Sequence, residues 1–361
     1  MIKYILITVV TLAAIFNHNL RADSRSPYIL KVGAVIPLTG DIAWFGESVS
    51  IGMRLALKDG ADQSIKLQLE DDQSNSKVAT INSATKLVND GASVLLVSSV
   101  NTAFATAAIS EREKIPTFVL IDSNQSIPKI NAYTYGFGFS NERVGRDIAN
   151  FAIKKLGSKE VGIVSAHDEW SEIVSNVFNQ EILNLGGKIK IHEKILLDDN
   201  DMRAVVLRLK KAAIDTVYFP LYKSSVVSFV KAIRAANLPI KLLTAEGLSE
   251  VEISELGKDA NEIYLTNAWL EDPGFAQKVY SFSGKSPGTL NLAHVAIGYD
   301  IINFLAAAYI DHLLLKIPLK QAISKLNFSG VLGPINFSEQ QISDRSQNIL
   351  SVESGRFKLV K

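Results

Sequence analysis

From residue 29 onward, short apolar runs alternate with longer stretches of helical period, and this alternation limits the possible folds more than any other feature of the chain. The runs fall at 29–36, 65–70, 93–98, 117–121, 161–166, 189–195, 216–221, 241–245 and 263–268. Amphipathic stretches separate nearly all of them, which predicts parallel strands flanked by crossover helices, an α/β fold. Val94-Leu95-Leu96-Val97 is apolar without alternation, as expected of a strand covered on both faces. The series runs twice: an extended Tyr/Phe/Gly stretch at 133–139 ends the first, and a helix over 141–156 opens the second.

The first run leads into Pro37-Leu38-Thr39-Gly40, passes an aromatic-glycine turn at Phe45-Gly46 and enters a helix with a small residue at Gly52. A tightly turned polar loop at a strand's carboxyl end is where open α/β sheets take small ligands. Phosphate is a poor fit. A nucleotide P-loop needs four residues between its glycines and then Lys-Ser/Thr; here five residues separate Gly40 from Gly46, and Glu47 stands where the lysine belongs. The pattern Gly-x-Gly-x-x-Gly is also absent from this turn, so no nucleotide cofactor is expected. The plain alternative is an ordinary strand-to-helix connection.

At 361 residues with 47% apolar content, the chain suits two domains with separate cores. A formal charge of +1 gives no electrostatic case for nucleic acid or an anionic membrane surface. Residues 1–22 read as a secretory signal peptide: Lys3, an apolar run over 4–16, then a polar close ending in Ala22. That run is shorter than the about 20 residues a span requires, with a short anchor as the alternative, and Leu20 sits where cleavage prefers a small residue. Removal of 1–22 takes Lys3 and Arg21 and no acid, so +1 becomes −1. There is no cysteine, which excludes disulfides, thiolate zinc sites and a cysteine-linked lipid. A freely soluble mature protein is expected.

Enzyme chemistry finds little support. No Gly-x-Ser-x-Gly follows a predicted strand as a hydrolase elbow would, and no His-Glu-x-x-His is present. Asp198-Asp199-Asn200-Asp201 lacks the glycine and terminal glutamate of a calcium loop, and His167-Asp168-Glu169 has one histidine only. No metal, cofactor or catalytic residue is expected. By contrast, Ser98-Ser99-Val100-Asn101-Thr102 joins a predicted strand to a helix over 103–112. Hydroxyls, the Asn101 amide and open backbone amides there suit a carboxylate; helix capping is the competing role for the same residues.

Pro37-Leu38-Thr39-Gly40, Ala43-x-Phe45-Gly46, Gly52 and Leu55-Ala56 together resemble the amino-terminal signature of periplasmic solute-binding proteins of the leucine/isoleucine/valine-binding (type I) family. The likeness continues through Gly186-Gly187, Asp201, Leu209-Lys210-Lys211, Asp215-Thr216-Val217-Tyr218, Ala245-Glu246-Gly247 and Gly257, and so covers nearly the whole chain after the leader.

The resemblance implies two Rossmann-like lobes with parallel sheets joined by a three-crossing hinge near Ser140, Trp269 and Gly330. Lobe one would combine 29–140 with 270–329, and lobe two 141–268 with 331–361, where 335–337 and 357–360 look like hairpin strands.

It also implies a ligand cleft. Ser99, Asn101 and Thr102 would hold the ligand's carboxylate, with Ser123 keeping a hydroxyl and Asp122 adding a charge at the next strand end. Trp170 stands where the family shows tyrosine and Ser171 where it shows glycine, Tyr222 ends the 216–221 strand, and Phe45 and His294 match aromatic pocket positions. Glu246 matches the acid that receives an amino-acid ligand's ammonium, and a buried carboxylate needs such a partner. The implied function is capture of an amino acid or amide-like ligand by a periplasmic monomer and delivery to an ABC-type permease. A sensing subunit for a membrane receptor and a ligand-free envelope scaffold are the alternatives.

Overall fold

The computed structural model describes residues 29–360 apart from 197–199, 246, 249, 271, 338–340, 344 and 346; the side chains of Asp62, Asp122, Glu169, Lys223, Ser224 and Glu250 are also outside the described set. The first series forms β1 (Leu30–Ile36), α1 (Ala43–Lys58), β2 (Ile65–Asp71), α2 (Lys77–Asn89), β3 (Val94–Val97), α3 (Val100–Glu113), β4 (Thr117–Val119), β5 (Asp122–Ser123), β6 (Thr134–Gly136) and β7 (Phe139–Ser140). The second forms α4 (Asn141–Lys154), β8 (Glu160–Ala166), α5 (Glu169–Asn184), β9 (Lys188–Ile195), α6 (Arg203–Ala212), β10 (Thr216–Tyr218), α7 (Lys223–Ala235), β11 (Lys241–Thr244), α8 (Glu250–Leu256) and β12 (Ile263–Asn267). After these come α9 (Pro273–Ser283), α10 (Leu292–Leu315), α11 (Leu319–Lys325), β13 (Phe328–Gly330), β14 (Gly333–Ile335), β15 (Asn348–Glu353) and β16 (Arg356–Leu359).

The two sheets repeat one topology. The first is parallel in the order β2-β1-β3-β4-β6, and the second runs β9-β8-β10-β11-β12, also parallel, before β15 and β16 add on antiparallel. In each, the chain starts near the centre, steps to one edge and then crosses back, so a switch point opens between β1 and β3 and again between β8 and β10. Helices cover both faces. Val32, Ala34 and Ile36 of β1 pack on α1 and α10, while Val35 points to the α2 and α3 side with Leu87 and Ala103. In the second sheet Val217 and Leu242 meet α6 and α7, and Ile163 and Tyr218 meet α4 and α5.

Small residues in the opening motif mark close contacts. A Cβ on Gly46 would lie 1.8 Å from the Pro37 carbonyl oxygen, so the aromatic-glycine turn lets the first turn of α1 sit on the strand end. A Cβ on Gly52 would lie 1.9 Å from Val295 O, and one on Gly298 2.0 Å from Val49 O. These two glycines bring α1 and α10 close enough to bury Val49, Met53, Val295 and Ile302 completely. Each such side chain contributes about 2 kcal/mol on burial. α10 is apolar enough by composition to cross a membrane, and its apolar length is used here as a core helix.

Three segments connect the two halves. β7 pairs in parallel with β5, and Trp269 marks the second crossing, where its indole donates to Val331 O at 3.1 Å. The third crossing differs from the expectation near Gly330. Residues 331–337 stay with the first sheet: β13 and β14 form a hairpin, the carboxylate of Asp300 accepts from Val331 N and Leu332 N at 2.9 and 2.8 Å, and the Phe337 ring packs 5.4 Å from Tyr135 and 5.6 Å from Phe304. Burial of Phe337 in this aromatic cluster holds the chain in the first lobe until about residue 341. The crossing then follows 341–347, where Ser343 Oγ donates to Gly138 O at 2.8 Å and Gln347 N to Asp147 at 2.8 Å. The expected pairing of 335–337 with 357–360 is replaced accordingly: β16 pairs with β15, a strand that the apolar runs did not reveal.

Replacing Gly52 with Ala should force α1 and α10 apart and destabilise the protein by about 3 kcal/mol. Urea unfolding monitored by circular dichroism measures this, and a change of a few tenths would show that the helix pair tolerates separation.

Candidate functional site

The loops that leave the carboxyl ends of the strands carry most of the candidate residues. On the first sheet, Asp71 ties the β1 loop: it accepts from Leu38 N at 2.9 Å, Thr39 N at 3.2 Å, Thr39 Oγ1 at 2.6 Å and Gln73 N at 2.9 Å. Burial pushes its carboxyl up, but these hydrogen bonds together outweigh burial and hold it below the usual range. The next residues, Gln73, Ser74 and Asn75, all adopt left-handed backbone, with φ of 52°, 58° and 69°. Each costs about 1 kcal/mol or more. Side chains hold the turn: Asn75 N donates to Asp72 at 3.0 Å, and Ser74 Oγ donates to Thr39 O at 2.8 Å.

That turn delivers Asn75 Oδ1 to the start of α3, where it accepts from Ser98 Oγ at 2.9 Å and Ser99 Oγ at 3.1 Å. Ser99 and Thr102 form a reciprocal capping box, with Ser99 N donating to Thr102 Oγ1 at 2.9 Å and Thr102 N to Ser99 Oγ at 3.4 Å. Both hydroxyls are therefore engaged in the cap. Asn101 is exposed, and the first-turn amides of Val100 and Asn101 have no intrahelical acceptor. Behind them Asp72 is fully buried, which pushes its carboxyl up, and it accepts from Ser98 Oγ at 2.6 Å.

Ser123 is fully buried, with its hydroxyl 3.4 Å from Gly136 O and packed where a Cβ on Gly136 would lie. That hydroxyl faces the interior of the first lobe. The side chain of Asp122 lies outside the described residues, as does Glu246. Gly247, next to Glu246, approaches the preceding loop so closely that a Cβ would lie 1.9 Å from Leu221 O.

Phe45 and His294 come together with a residue the sequence reading passed over. Phe45 is 1% exposed and sits in the core, its ring edge-on to His294 at 5.0 Å. Trp44 is 54% exposed and lies 5.4 Å from the same imidazole, so Trp44 presents the aromatic surface and Phe45 supports it from below. The alternating exposure of a helix's first turn was the available signal. Burial pushes the His294 imidazole down to about 4, and its Nδ1 has no partner among the described residues.

On the second sheet, Asp168 caps α5 through Oδ1, which accepts from Ser171 N at 2.9 Å and from Tyr222 OH at 3.4 Å. The Trp170 and Tyr222 rings lie 4.8 Å apart at 43°. Ser171, buried, donates its hydroxyl to Pro220 O at 2.7 Å and accepts from Ala166 N at 2.9 Å. It thereby ties the ends of β8 and β10 across the switch point. The histidine beside this acid, His167, is exposed, and among the described residues no group of three or more His, Asp or Glu side chains is placed to hold a metal. The pentapeptide Gly284-Lys285-Ser286-Pro287-Gly288 does fit the Gly-x-Ser-x-Gly spelling, but it joins α9 to α10 with no strand before it, so it builds no elbow.

Two like-topology α/β units, three crossings and polar loops at the strand carboxyl ends define the type I periplasmic binding fold. A model of the periplasmic binding protein family matches residues 29–347. The chain belongs to that family, whose members are solute-binding proteins and not enzymes. Among its relatives is the leucine-, isoleucine-, valine-, threonine-, and alanine-binding protein of Pseudomonas aeruginosa, 24% identical over 296 residues, which are 78% of this chain and 77% of that protein. Solved structures share the fold. An ABC transporter substrate-binding protein from Sphaerobacter thermophilus superimposes with a TM-score of 0.78 at 20% identity, covering 92% of this chain and 96% of the other. An ABC transporter solute-binding protein from R. palustris in complex with benzoate gives 0.69 at 21% identity, covering 92% and 95%.

His294 predicts a pH dependence. The unfolded chain titrates this group near 6.5 and the folded chain near 4, so the unfolded state takes up the proton first as pH falls. The stabilisation is complete above about pH 6.5 and is lost progressively toward pH 4, up to about 3 kcal/mol in all. Urea unfolding at pH 7, 5.5 and 4 should show this fall, and His294→Phe should flatten it; a variant with the wild-type pH slope would contradict the assignment.

Proposed function

We propose that the protein is exported to the periplasm, captures an amino acid or an amide-like ligand in the cleft between its two lobes, and delivers it to an ABC-type permease. The chain acts as a monomer without a cofactor. The observation that carries this reading is the chemical contrast between the two facing sets of strand-end loops. The first sheet offers donors, the open amides at Val100 and Asn101 beside Ser99 and Thr102, suited to a carboxylate. The second offers acids and rings, Asp168, Trp170 and Tyr222 with Glu246 on the neighbouring loop, suited to an ammonium. Trp44 and His294 over Phe45 form an apolar wall. Ser123 contributes through its position at β5, next to the β7 crossing, and Asp122 through a charge at the same strand end.

A ligand that touches both lobes only when they approach shifts the population toward the closed form, and that form is the one a permease recognises. The relative from Pseudomonas aeruginosa is named for leucine, isoleucine, valine, threonine and alanine, which supports an amino-acid ligand. The R. palustris neighbour holds benzoate, and the exposed Trp44 ring gives an aromatic acid as the second reading.

Differential scanning fluorimetry of the protein without residues 1–22, against amino acids, amides and benzoates, tests the reading. A true ligand at about 100 times its Kd should add about 2.7 kcal/mol. Amino acids should stabilise and benzoates should not, and silence across the panel would refute solute capture. Glu246→Ala should weaken an amine-bearing ligand at least about tenfold; an unchanged affinity would remove the ammonium assignment.

A further inference from the structure

The second lobe contains an acid that its fold uses only in part. Asp168 Oδ1 is fully employed, capping α5 and accepting from Tyr222 OH. Oδ2 is buried and accepts no hydrogen bond among the described residues. A capping role needs one oxygen, and a buried carboxylate oxygen without a donor is costly. No lysine, arginine or histidine forms an ion pair with Asp168 among the described residues. Among the described residues, the charge that acts on it is another acid, Glu172, which is itself paired with Lys194 at 2.6 Å. Burial, and to a lesser degree Glu172, push the Asp168 carboxyl up against the hydrogen bonds from Ser171 N, Tyr222 OH and Trp170 N, and an incoming cation would relieve that cost. Two aromatic residues lie near the acid: Tyr222 donates its hydroxyl to Oδ1, and its ring lies 4.8 Å from that of Trp170, two residues along the same helix start.

An acid with one buried, unpaired oxygen, beside a tyrosine hydroxyl whose ring packs on a tryptophan, is complementary to a protonated nitrogen. The carboxylate supplies charge, and the rings supply a cation–π surface that also excludes water. Neutral apolar side chains would leave Oδ2 unpaired on closure. We propose that Asp168, Trp170 and Tyr222 form a cation subsite that receives a positively charged group on the ligand's side chain, separate from the α-ammonium assigned to Glu246. This rests on the interlobe-capture reading and narrows its ligand class to amino acids with a basic side chain, such as lysine, ornithine or arginine.

Isothermal titration of the protein without residues 1–22 compares L-lysine, L-ornithine and L-arginine with L-norleucine, L-leucine and benzoate. The basic amino acids should bind at least about tenfold more tightly than norleucine. Asp168→Asn keeps a side-chain oxygen for the helix cap, and should abolish this preference by weakening the basic ligands at least about tenfold more than it weakens norleucine. Trp170→Leu, which leaves the cap untouched, should weaken the basic ligands about fivefold. Tight binding of leucine or benzoate with no preference for the basic set would overturn the subsite and leave solute capture standing. A preference for basic ligands that survives Asp168→Asn would equally overturn it. No binding by any of the six would remove both readings together.

Discussion

Parallel pairing obliges the chain to return across a face of the sheet after every strand, and this obligation arranges the rest of the molecule. Because each crossover brings the chain back to the same edge, every loop that follows β1, β3, β8 and β10 leaves from a carboxyl end. The chain applies this rule twice in the same order, so it produces two polar edges of like design. The core helices serve the same end. Gly52 and Gly298 let α1 and α10 approach until the backbones nearly touch, which fixes where α1 begins and hence where Trp44, Phe45 and His294 meet. The packing of α1 on α10 thus fixes the geometry of this aromatic group.

The two edges are not chemically equivalent. The first presents open amides at a helix start, backed by a buried acid that only hydroxyl and amide groups touch. The second presents a carboxylate beside a packed tryptophan–tyrosine pair. A zwitterion laid between them would be oriented by charge before any apolar contact formed. Ser171 has a quieter part: its buried hydroxyl bridges β8 and β10 at the switch point and keeps Asp168 and Tyr222 in register.

Periodicity revealed the fold well where burial controls the pattern. The runs at 29–36 and 161–166 coincide with β1 and β8 to within a residue at either end, because apolar strands covered on both faces admit few substitutes, and the run at 65–70 finds the edge strand β2 through its alternating Ile65, Leu67 and Leu69. It failed where polar contacts direct the chain. The third crossing moved because Asp300 receives two amides of the β13 turn and Phe337 enters an aromatic cluster, contacts between residues far apart in sequence. β15 was not legible because its residues join an edge by antiparallel pairing, with half-exposed positions at its start. At the site, residue type was legible and direction was not. A strand-end serine such as Ser123 turns inward when a glycine opposite leaves room, and only coordinates reveal that Gly136 does so. Likewise Asp168 reads as a helix cap until its second oxygen is seen to lack a partner.

The turn at Gln73, Ser74 and Asn75 has a consequence of its own. Three successive side-chain-bearing residues in left-handed backbone form a coiled spring, and of the three only Asn75 takes that conformation readily. Hydrogen bonds from Gln73 N to Asp71, from Asn75 N to Asp72 and from Ser74 Oγ to Thr39 O act as the catch. The position of Asn75, and through it the serines at the start of α3, is therefore set by local tension and not by the bulk of the core. The start of α3 can shift while the protein remains folded, because the turn that meets its serines is wound separately from the part that holds the molecule together.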